Sequence, residues 1–304
     1  GSCGLYLAGA LAKNKPEVTV FEKKDNLSNK ACSGLFSERI LDFVPQSEKL
    51  TENKIKSVIV NFPNKKSKVD FSKSFLVMDR SRLDNLLLDL AISAGAKILF
   101  NRHIKKTPTG FDKVIACDGA ESEIRKQLGL KNPPLRLGIQ GFTASRETAE
   151  ETENFVEVWP RKNGFLWKIP RGKNIEYGVL ANINEAYKIF TDFIKENKLN
   201  ILNVRARIVP QGLIISENEE IALCGDAAGL TKPWSGGGVV WGMVAADILI
   251  KNFPDFSKYS KELKKFFGFK ILRSEIFTKL VYFVGYKIPF LLPKRNRIES
   301  DFLI

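Results

Sequence analysis

Three junctions built from glycine and acidic residues limit what this chain can fold into. At its start, Gly1-Ser2-Cys3-Gly4 opens a run of small residues and leucines at helical spacing, and residues 17–21 (EVTVF) follow as a short β-branched run ending at Glu22. Further on, the apolar run Val114-Ile115-Ala116-Cys117 ends in Asp118-Gly119, with Ser122 and Arg125 leading into a helix. The third run, Leu223-Cys224, ends in Gly225-Asp226 and continues through Pro233 to Ser235-Gly236-Gly237-Gly238, where another helix begins. A buried strand that ends in a glycine turn and feeds a helix is the repeating unit of a dinucleotide-binding α/β fold. Gly1 and Gly4 match the second and third glycines of G-x-G-x-x-G: the first lets the backbone approach a pyrophosphate, and the second lets helix and strand pack closely. The helix N-terminus between them favours phosphate. Glu22 falls eighteen residues after Gly4, where an acid takes the ribose hydroxyls of an adenosine. The fingerprint's first glycine and its strand are missing ahead of Gly1, so the chain is expected to be a fragment without its first strand.

The later junctions add a flavin to the adenosine. Asp226 can accept a hydrogen bond from a ribityl hydroxyl. Gly236, Gly237 and Gly238 allow close backbone approach to an isoalloxazine edge, and the helix that starts there would stabilise negative charge on a reduced flavin. The motif residues expected around FAD are therefore Gly1, Gly4, Glu22, Asp118, Gly119, Gly225, Asp226, Gly237 and Gly238.

Between the junctions the texture alternates. Residues 79–95 form an amphipathic helix with Leu83, Leu86, Leu87, Leu90 and Ala94 on one side and Gly95 at its end. Residues 56–62, 67–71 and 74–78 read as strands of a small antiparallel region, and 138–145, 154–159, 164–169 and 176–182 as an antiparallel sheet. Residues 259–292 read as helical, aromatic and basic. The expected class is α/β, α+β overall. A discontinuous Rossmann-like FAD-binding domain (1–54, 75–135 and 211–252) carries an inserted antiparallel β-sheet substrate domain (55–74 and 136–210), followed by a helical C-terminal tail (253–304).

Composition excludes several chemistries. The 304 residues carry a formal charge of +14, but Lys, Asn and Ile are abundant throughout and the basic residues are scattered, with no arginine-rich run or RNA-binding signature; no nucleic-acid partner is expected. The one histidine, His103, argues against His-based triads and His-rich metal sites, and no metal is expected. Cys3, Cys32, Cys117 and Cys224 form no CxxC pair, and Cys117 and Cys224 read as small buried hydrophobes. A reducing cytoplasm fits them. The late apolar stretch 280–292 is interrupted by Lys287 and Pro289 and is too short to span a bilayer.

Further segments resemble a known family. The order of the three junctions with Arg80 resembles the hydroxylase-type FAD superfamily. Within it, Lys30-Ala31-Cys32-Ser33-Gly34-Leu35 is similar to the K-x-C-G-G-L segment of geranylgeranyl reductases, and Asp79-Arg80-Ser81-Arg82-Leu83-Asp84 to their R-x-x-[FL]-D helix start. Gly164-Phe165-Leu166-Trp167-Lys168-Ile169-Pro170-Arg171-Gly172 is similar to their Y-x-W-x-F-P-K-G substrate motif. The likeness covers nearly everything up to Lys251. It implies that Cys32, Ser33, Gly34, Arg80 and Val239 join Glu22, Asp226 and Gly238 in contacting FAD, and that Phe165, Trp167, Ile169 and Pro170 line a pocket for an isoprenoid or isoprenoid-lipid substrate. Cys32 would act at the site, shaping it or holding a proton-bearing water. Ferredoxin, NAD(P)H or a quinol would supply electrons. This chain has Ser33 where the family has glycine, Phe165 for Tyr, Ile169 for Phe and Arg171 for Lys. The same Phe165-x-Trp167-x-Ile169-Pro170 segment also resembles the W-x-W-x-I-P segment of flavin halogenases, so a monooxygenase or halogenase is one alternative, and a degenerate fold that no longer binds FAD is another. The tail's interleaved aromatic and basic residues suit two roles: peripheral contact with the inner face of a membrane, or a helical cover over the substrate domain.

Overall fold

A computed structural model of the chain describes residues 1–14, 16–28, 31–143 and 153–301; Lys30 of the cysteine segment and residues 144–145 of the expected 138–145 strand lie outside them. In chain order the elements are α1 (Ser2–Ala12), β1 (Thr19–Phe21), β2 (Leu35–Ser37), α2 (Ile40–Phe43), β3 (Thr51–Phe62), β4 (Lys65–Met78), α3 (Arg80–Ser93), β5 (Lys97–Leu99), β6 (Val114–Ala116) and α4 (Glu123–Gln127). There follow β7 (Leu135–Thr143), β8 (Phe155–Arg161), β9 (Gly164–Arg171), β10 (Asn174–Asn182), α5 (Ile183–Glu196), β11 (Ile201–Pro210), β12 (Ile221–Leu223), α6 (Val239–Asn252), α7 (Phe256–Lys287) and β13 (Arg295–Ile298). They divide into two compact units. One comprises Gly1–Lys30, Ser81–Pro134 and Pro210–Leu272, the other Ala31–Arg80, Leu135–Val209 and Arg273–Ile304. Residues 31–54 and 75–80, read from sequence with the nucleotide portion, thus group with the sheet, and the tail is shared between units.

The first unit is helices on short parallel strands. β1 pairs with β5, and β12 with β6, both in parallel. Such strands need cover on both faces, and α1 supplies it by burying Leu5, Leu7, Ala8 and Leu11. Each such leucine contributes about 1.5–3 kcal/mol. Ala8, Ala91 and Ala96 form a small-residue cluster with Val18, Val20 and Ile98 around it. A methyl on Gly9 would come 3.3 Å from the Ala91 Cα, so α1 and α3 touch almost backbone to backbone. Cys3, at the start of α1, meets Cys224 just past β12, Sγ to Sγ 3.4 Å, and both are free thiols.

The second unit is a nine-stranded sheet in the order β11-β7-β10-β9-β8-β3-β4-β13, with β2 also paired to β4. It is antiparallel at β3–β4, β8–β9, β9–β10 and β10–β7. It is parallel at β3–β8 and β4–β13. Strands expected separately over 67–71 and 74–78 are one continuous β4, because Ser72 and Lys73 bring no glycine or proline to break it. Alternation along the strands sorts their side chains onto two faces. One face buries Ile139, Leu166, Val179 and Ala181 against Ala186, Phe190 and Phe193 of α5. Toward the middle of the sheet, Ile55, Val77, Val156 and Ile169 form a second core with Trp167 against it.

The tail departs from its helical reading past Lys287. α7 stops at Lys287, because Pro289 lacks the N–H a continuing helix needs, and the chain then adds β13 to the sheet edge. In the second unit one side of α7 is a cover: Tyr282 and Tyr286 pack edge-on to Phe62 and donate to the carbonyls of Gly164 and Pro160. A methyl on Gly285 would fall 2.2 Å from the Phe62 ring.

Arg125 is the fully buried cation of the first unit. It donates to Ala120 O at 2.5 Å, to Ala227 O at 2.8 Å and to Asn132 Oδ1 at 2.8 Å. One guanidinium therefore ties the loop after β6 to the loop after β12. Burial pulls its pKa down, and Asp118 opposes the shift. Arg125→Met would leave the carbonyls of Ala120 and Ala227 without this donor; it is expected to cost about 3 kcal/mol or more of unfolding free energy, seen as a lower denaturant midpoint.

Candidate functional site

The expected site residues fall in two groups, one in each unit. In the first unit, α1 opens on Gly1 with no side-chain cap and no acid in its first turn. Glu22 follows β1 directly, and its Oε2 lies 3.5 Å from the Gly1 nitrogen. The adenosine-side pieces, a helix start and an acid at a strand end, are thus adjacent. A methyl on Gly4 would come 3.1 Å from the Cys117 Cβ, the close helix–strand approach its place in the fingerprint requires. Asp118 turns back on its own helix, accepting from Ile124 N at 3.3 Å, and Gly119 next to it has φ 90°. Gly225 and Asp226 open the turn after β12, Gly237 comes before α6, and α6 begins at Val239 with Gly238 as an N-cap that lends no side chain. A methyl on Gly238 would lie 2.9 Å from Asp226 Oδ1, so the acid and the start of α6 share one small space.

In the second unit the site is written by strand register. Trp167 of β9 lies opposite Gly178 of β10, and Gly178 lies opposite Gln140 of β7. Glu176 lies opposite Phe142 and Ile169. Phe165, Trp167, Ile169 and Arg171 therefore share a face with Glu176, Gln140 and Phe142, and α5 covers the other face. The Trp167 indole lies over Gly178, where a Cβ would be 2.2 Å from the ring. Phe165 stacks beside it at 5.8 Å.

The Cys32-Ser33-Gly34 loop is held to this face by its carbonyls. Gln140 Nε2 donates to Cys32 O at 3.1 Å, Arg171 Nη1 to Ser33 O at 3.1 Å, and Met78 N to Gly34 O at 2.9 Å. Arg80 Nη1 lies 3.9 Å from the Cys32 Sγ. Gly34 has φ 61°, and a methyl there would strike Met78 O at 2.1 Å, so only glycine fits.

Arg171 is itself set by charge. Its Nη1 donates to Glu176 Oε2 at 2.9 Å and its Nε to Glu52 Oε2 at 3.2 Å. Burial works against its charge, but Glu176 and Glu52 outweigh it and raise its pKa. Glu176 is fully buried, and its other oxygen accepts the Trp167 Nε1–H at 2.9 Å. Burial raises the Glu176 carboxyl above the ordinary carboxylate range, while Arg171 and the indole N–H oppose the shift.

Two members of the expected substrate set are placed differently from the aromatic pair. Ile169 is 2% exposed and belongs to the sheet core, and Pro170 alternates to the opposite face. Sequence reasoning passed over Glu176, Gln140 and Glu52. The signal for Glu176 was present: an acid inside the apolar run Ile175-Glu176-Tyr177-Gly178-Val179, just past a two-residue turn at Gly172 and Lys173, has to find a cation near Arg171. Gln140 and Glu52 carry no such mark, because their partners are distant in the chain. Among the described residues no group of His, Cys, Asp and Glu side chains could hold a metal ion.

The residues present fit an FAD. Within the first unit, a helix start without its own acid, an acid at the adjoining strand end and a second such helix start beside Asp226 are features such a cofactor needs. No family model matches the chain. It is 26% identical to digeranylgeranylglycerophospholipid reductase 1 of Methanosphaera stadtmanae, over 86% of this chain and 76% of the relative. Among solved structures, a geranylgeranyl bacteriochlorophyll reductase-like protein from Thermoplasma acidophilum superposes with a TM-score of 0.80 at 20% identity, covering 96% of this chain and 91% of that one. A myxobacterial chondrochloren halogenase, an FAD-dependent halogenase, shares the fold with a TM-score of 0.71 at 13% identity, over 93% of this chain and 80% of that one. Together with the junction motifs, these likenesses support an FAD oxidoreductase similar to the geranylgeranyl reductases.

Proposed function

We propose that the protein saturates carbon–carbon double bonds of a geranylgeranyl or other polyprenyl chain carried on an isoprenoid lipid. The observation that supports this best is the single sheet face in the second unit that carries both the Phe165–Trp167 pair and the anchored Cys32-Ser33-Gly34 loop. FAD, when bound and reduced, supplies the hydride for the double bond. The protein's part is to bind and orient. Gly1, Gly4 and Glu22 take the adenosine end and Asp226 with Gly237, Gly238 and Val239 the ribityl and flavin end; Arg80, Cys32, Ser33 and Gly34 are assigned to the flavin by the family resemblance. Asp118, Gly119 and Gly225 shape the turns that present them. Phe165 and Trp167 offer apolar surface, on which each isoprenoid CH₂ is worth about 0.8 kcal/mol, so a long chain is held without polar recognition. Ile169 and Pro170 support that surface from the core. Cys32 shapes the site and holds the water that delivers the proton. Electrons come from a ferredoxin, NAD(P)H or a quinol.

The digeranylgeranylglycerophospholipid reductase relative supports this substrate class. Against a halogenase stands the chemistry beside the aromatic pair. Lys168, next to Trp167 in β9, alternates to the other face and is held by Glu153 at 2.9 Å and Glu157 at 3.3 Å. Arg171 and Glu176, on the aromatic face, are bound to each other. The cations nearest Trp167 in β9 are thus paired with acids.

The substrate's apolar character bears on where the protein works. Among the described residues no helix is long and apolar enough to cross a membrane. Within the second unit, however, α7 exposes Ile276, Leu280 and Phe283 on one stripe, with Phe290 and Leu291 beyond it at 76% and 61% exposure. Arg273, Lys279 and Lys287 flank the stripe and Glu275 is the acid among them. This is the pattern of a helix lying in an anionic lipid surface, and we assign peripheral contact with such a surface to it.

Two outcomes follow. Under anaerobic conditions, chemically reduced protein mixed with a geranylgeranyl lipid is expected to re-oxidise stoichiometrically and to give products heavier by pairs of hydrogens; Trp167→Ala should slow long-chain turnover about tenfold while flavin content holds. Loss of flavin in Trp167→Ala instead would show that this tryptophan is only structural, and oxygenation or halogenation only in air would overturn the reductase reading. Co-sedimentation with vesicles containing anionic lipid should fall as salt rises from about 0.1 to 1 M, since screening shortens the reach of the basic residues; Phe283→Asp with Leu280→Asp should abolish it.

A further inference from the structure

Glu176 takes no part in any contact assigned above to cofactor or substrate, yet it is the best-buried acid on the site's sheet face. It is 0% exposed and is the third residue of β10. A carboxylate there is costly unless every lone pair direction is matched. The matches are specific. One oxygen accepts the indole N–H of Trp167 at 2.9 Å, and the other accepts Arg171 Nη1 at 2.9 Å. The same Arg171 Nη1 reaches Ser33 O at 3.1 Å, and the rest of the guanidinium is tied to Glu52. The plane of Arg171 lies against the Phe142 ring, 5.8 Å from its centroid, and its Nη2 stands 2.9 Å from where a Gly34 Cβ would be. A single carboxylate therefore fixes two things at once: the tilt of the Trp167 indole and, through Arg171, the height of the Cys32-Ser33-Gly34 loop over the sheet.

We infer that Glu176 is a positioning residue for the reaction, holding the cysteine loop through Arg171 and the substrate-side indole through Trp167 in one register. The inference rests on the reductase reading for its consequence in turnover, but its structural part is independent of FAD. Arginine suits 171 because its fork holds Glu176 and the Ser33 carbonyl through Nη1 and Glu52 through Nε and Nη2; the single ammonium of a lysine cannot keep all three in that geometry. Glutamine at 176 has one acceptor oxygen, so with that oxygen on the indole N–H its amide NH2 faces Arg171, a donor against a donor.

Cys32 reports the loop directly. It is a half-buried free thiol, and the other three cysteines belong to the first unit and act as internal controls. Glu176→Gln and Arg171→Lys are compared with wild type by iodoacetamide alkylation, mapped by mass spectrometry, and by steady-state turnover of the FAD-loaded protein with a geranylgeranyl lipid. In both variants Cys32 alkylation should change by about fivefold or more while Cys3, Cys117 and Cys224 react as in wild type, and kcat should fall about tenfold with KM within about threefold. Arg171→Lys keeps the buried charge matched, so it reports even where Glu176→Gln folds poorly. Cys32 alkylation within about twofold of wild type in Arg171→Lys overturns the inference, as does unchanged kcat in folded variants, since positioning errors of about 1 Å carry large rate costs. A wild-type protein that neither binds FAD nor turns over lipid sinks the reductase reading, and the alkylation arm still decides the loop.

Discussion

A carboxylate buried in the middle of a sheet has to be answered by donors, and in the second unit the answer organises everything on that face. Glu176 draws Arg171 back across the β9–β10 hairpin and pins the Trp167 indole over Gly178. Arg171, once turned inward, presents its remaining N–H groups to Ser33 and Glu52. The cysteine loop then has no freedom to rise: Gln140, Arg171 and Met78 take its three successive carbonyls. Breaking one partner of such a pair strands the other in low dielectric, a cost of about 3–5 kcal/mol, so the arrangement resists piecemeal change.

The first unit solves a different problem with a similar device. Its strands are three residues long, too short to hold loops in place by pairing alone. Arg125 compensates by bonding the carbonyls of both loops that follow β6 and β12. The glycines near Asp226 leave room, and the buried arginine supplies rigidity. Rigid turns that offer helix starts to an anion, together with a rigid apolar strand face, suit a cofactor that does the chemistry and a protein that supplies orientation.

Much of the nucleotide half was legible because its signals are local. Gly1, Gly4 and Glu22, and the turns at Asp118-Gly119 and Gly225-Asp226, lie within a few residues of the strands and helices they join, so spacing alone locates them. The loop at Cys32 was recognised by resemblance, but what holds it was not, since Gln140 is more than a hundred residues away and reaches it only after β7, β10 and β9 are paired. Register also decided the faces of β9. Alternation predicted that Phe165 and Trp167 share a face, and the same rule sends Pro170 to the other. The tail showed why composition misleads: an aromatic, basic run reads as one amphipathic helix, yet Tyr282 and Tyr286 cover Phe62 while Ile276, Leu280 and Phe283 face outward. The closing strand at Arg295–Ile298 has no pattern of its own and exists because β4 offers an edge.

The central claim is that glycine turns and Asp226 form an FAD cradle. Titration of the purified protein with FAD, followed by flavin fluorescence quenching, tests it most directly. The expected result is saturable binding at one equivalent, with Asp226→Ala weakening it about tenfold or more, as loss of a hydrogen bond to a charged acceptor requires. Binding that is absent in the wild type, or unchanged in Asp226→Ala, would contradict it.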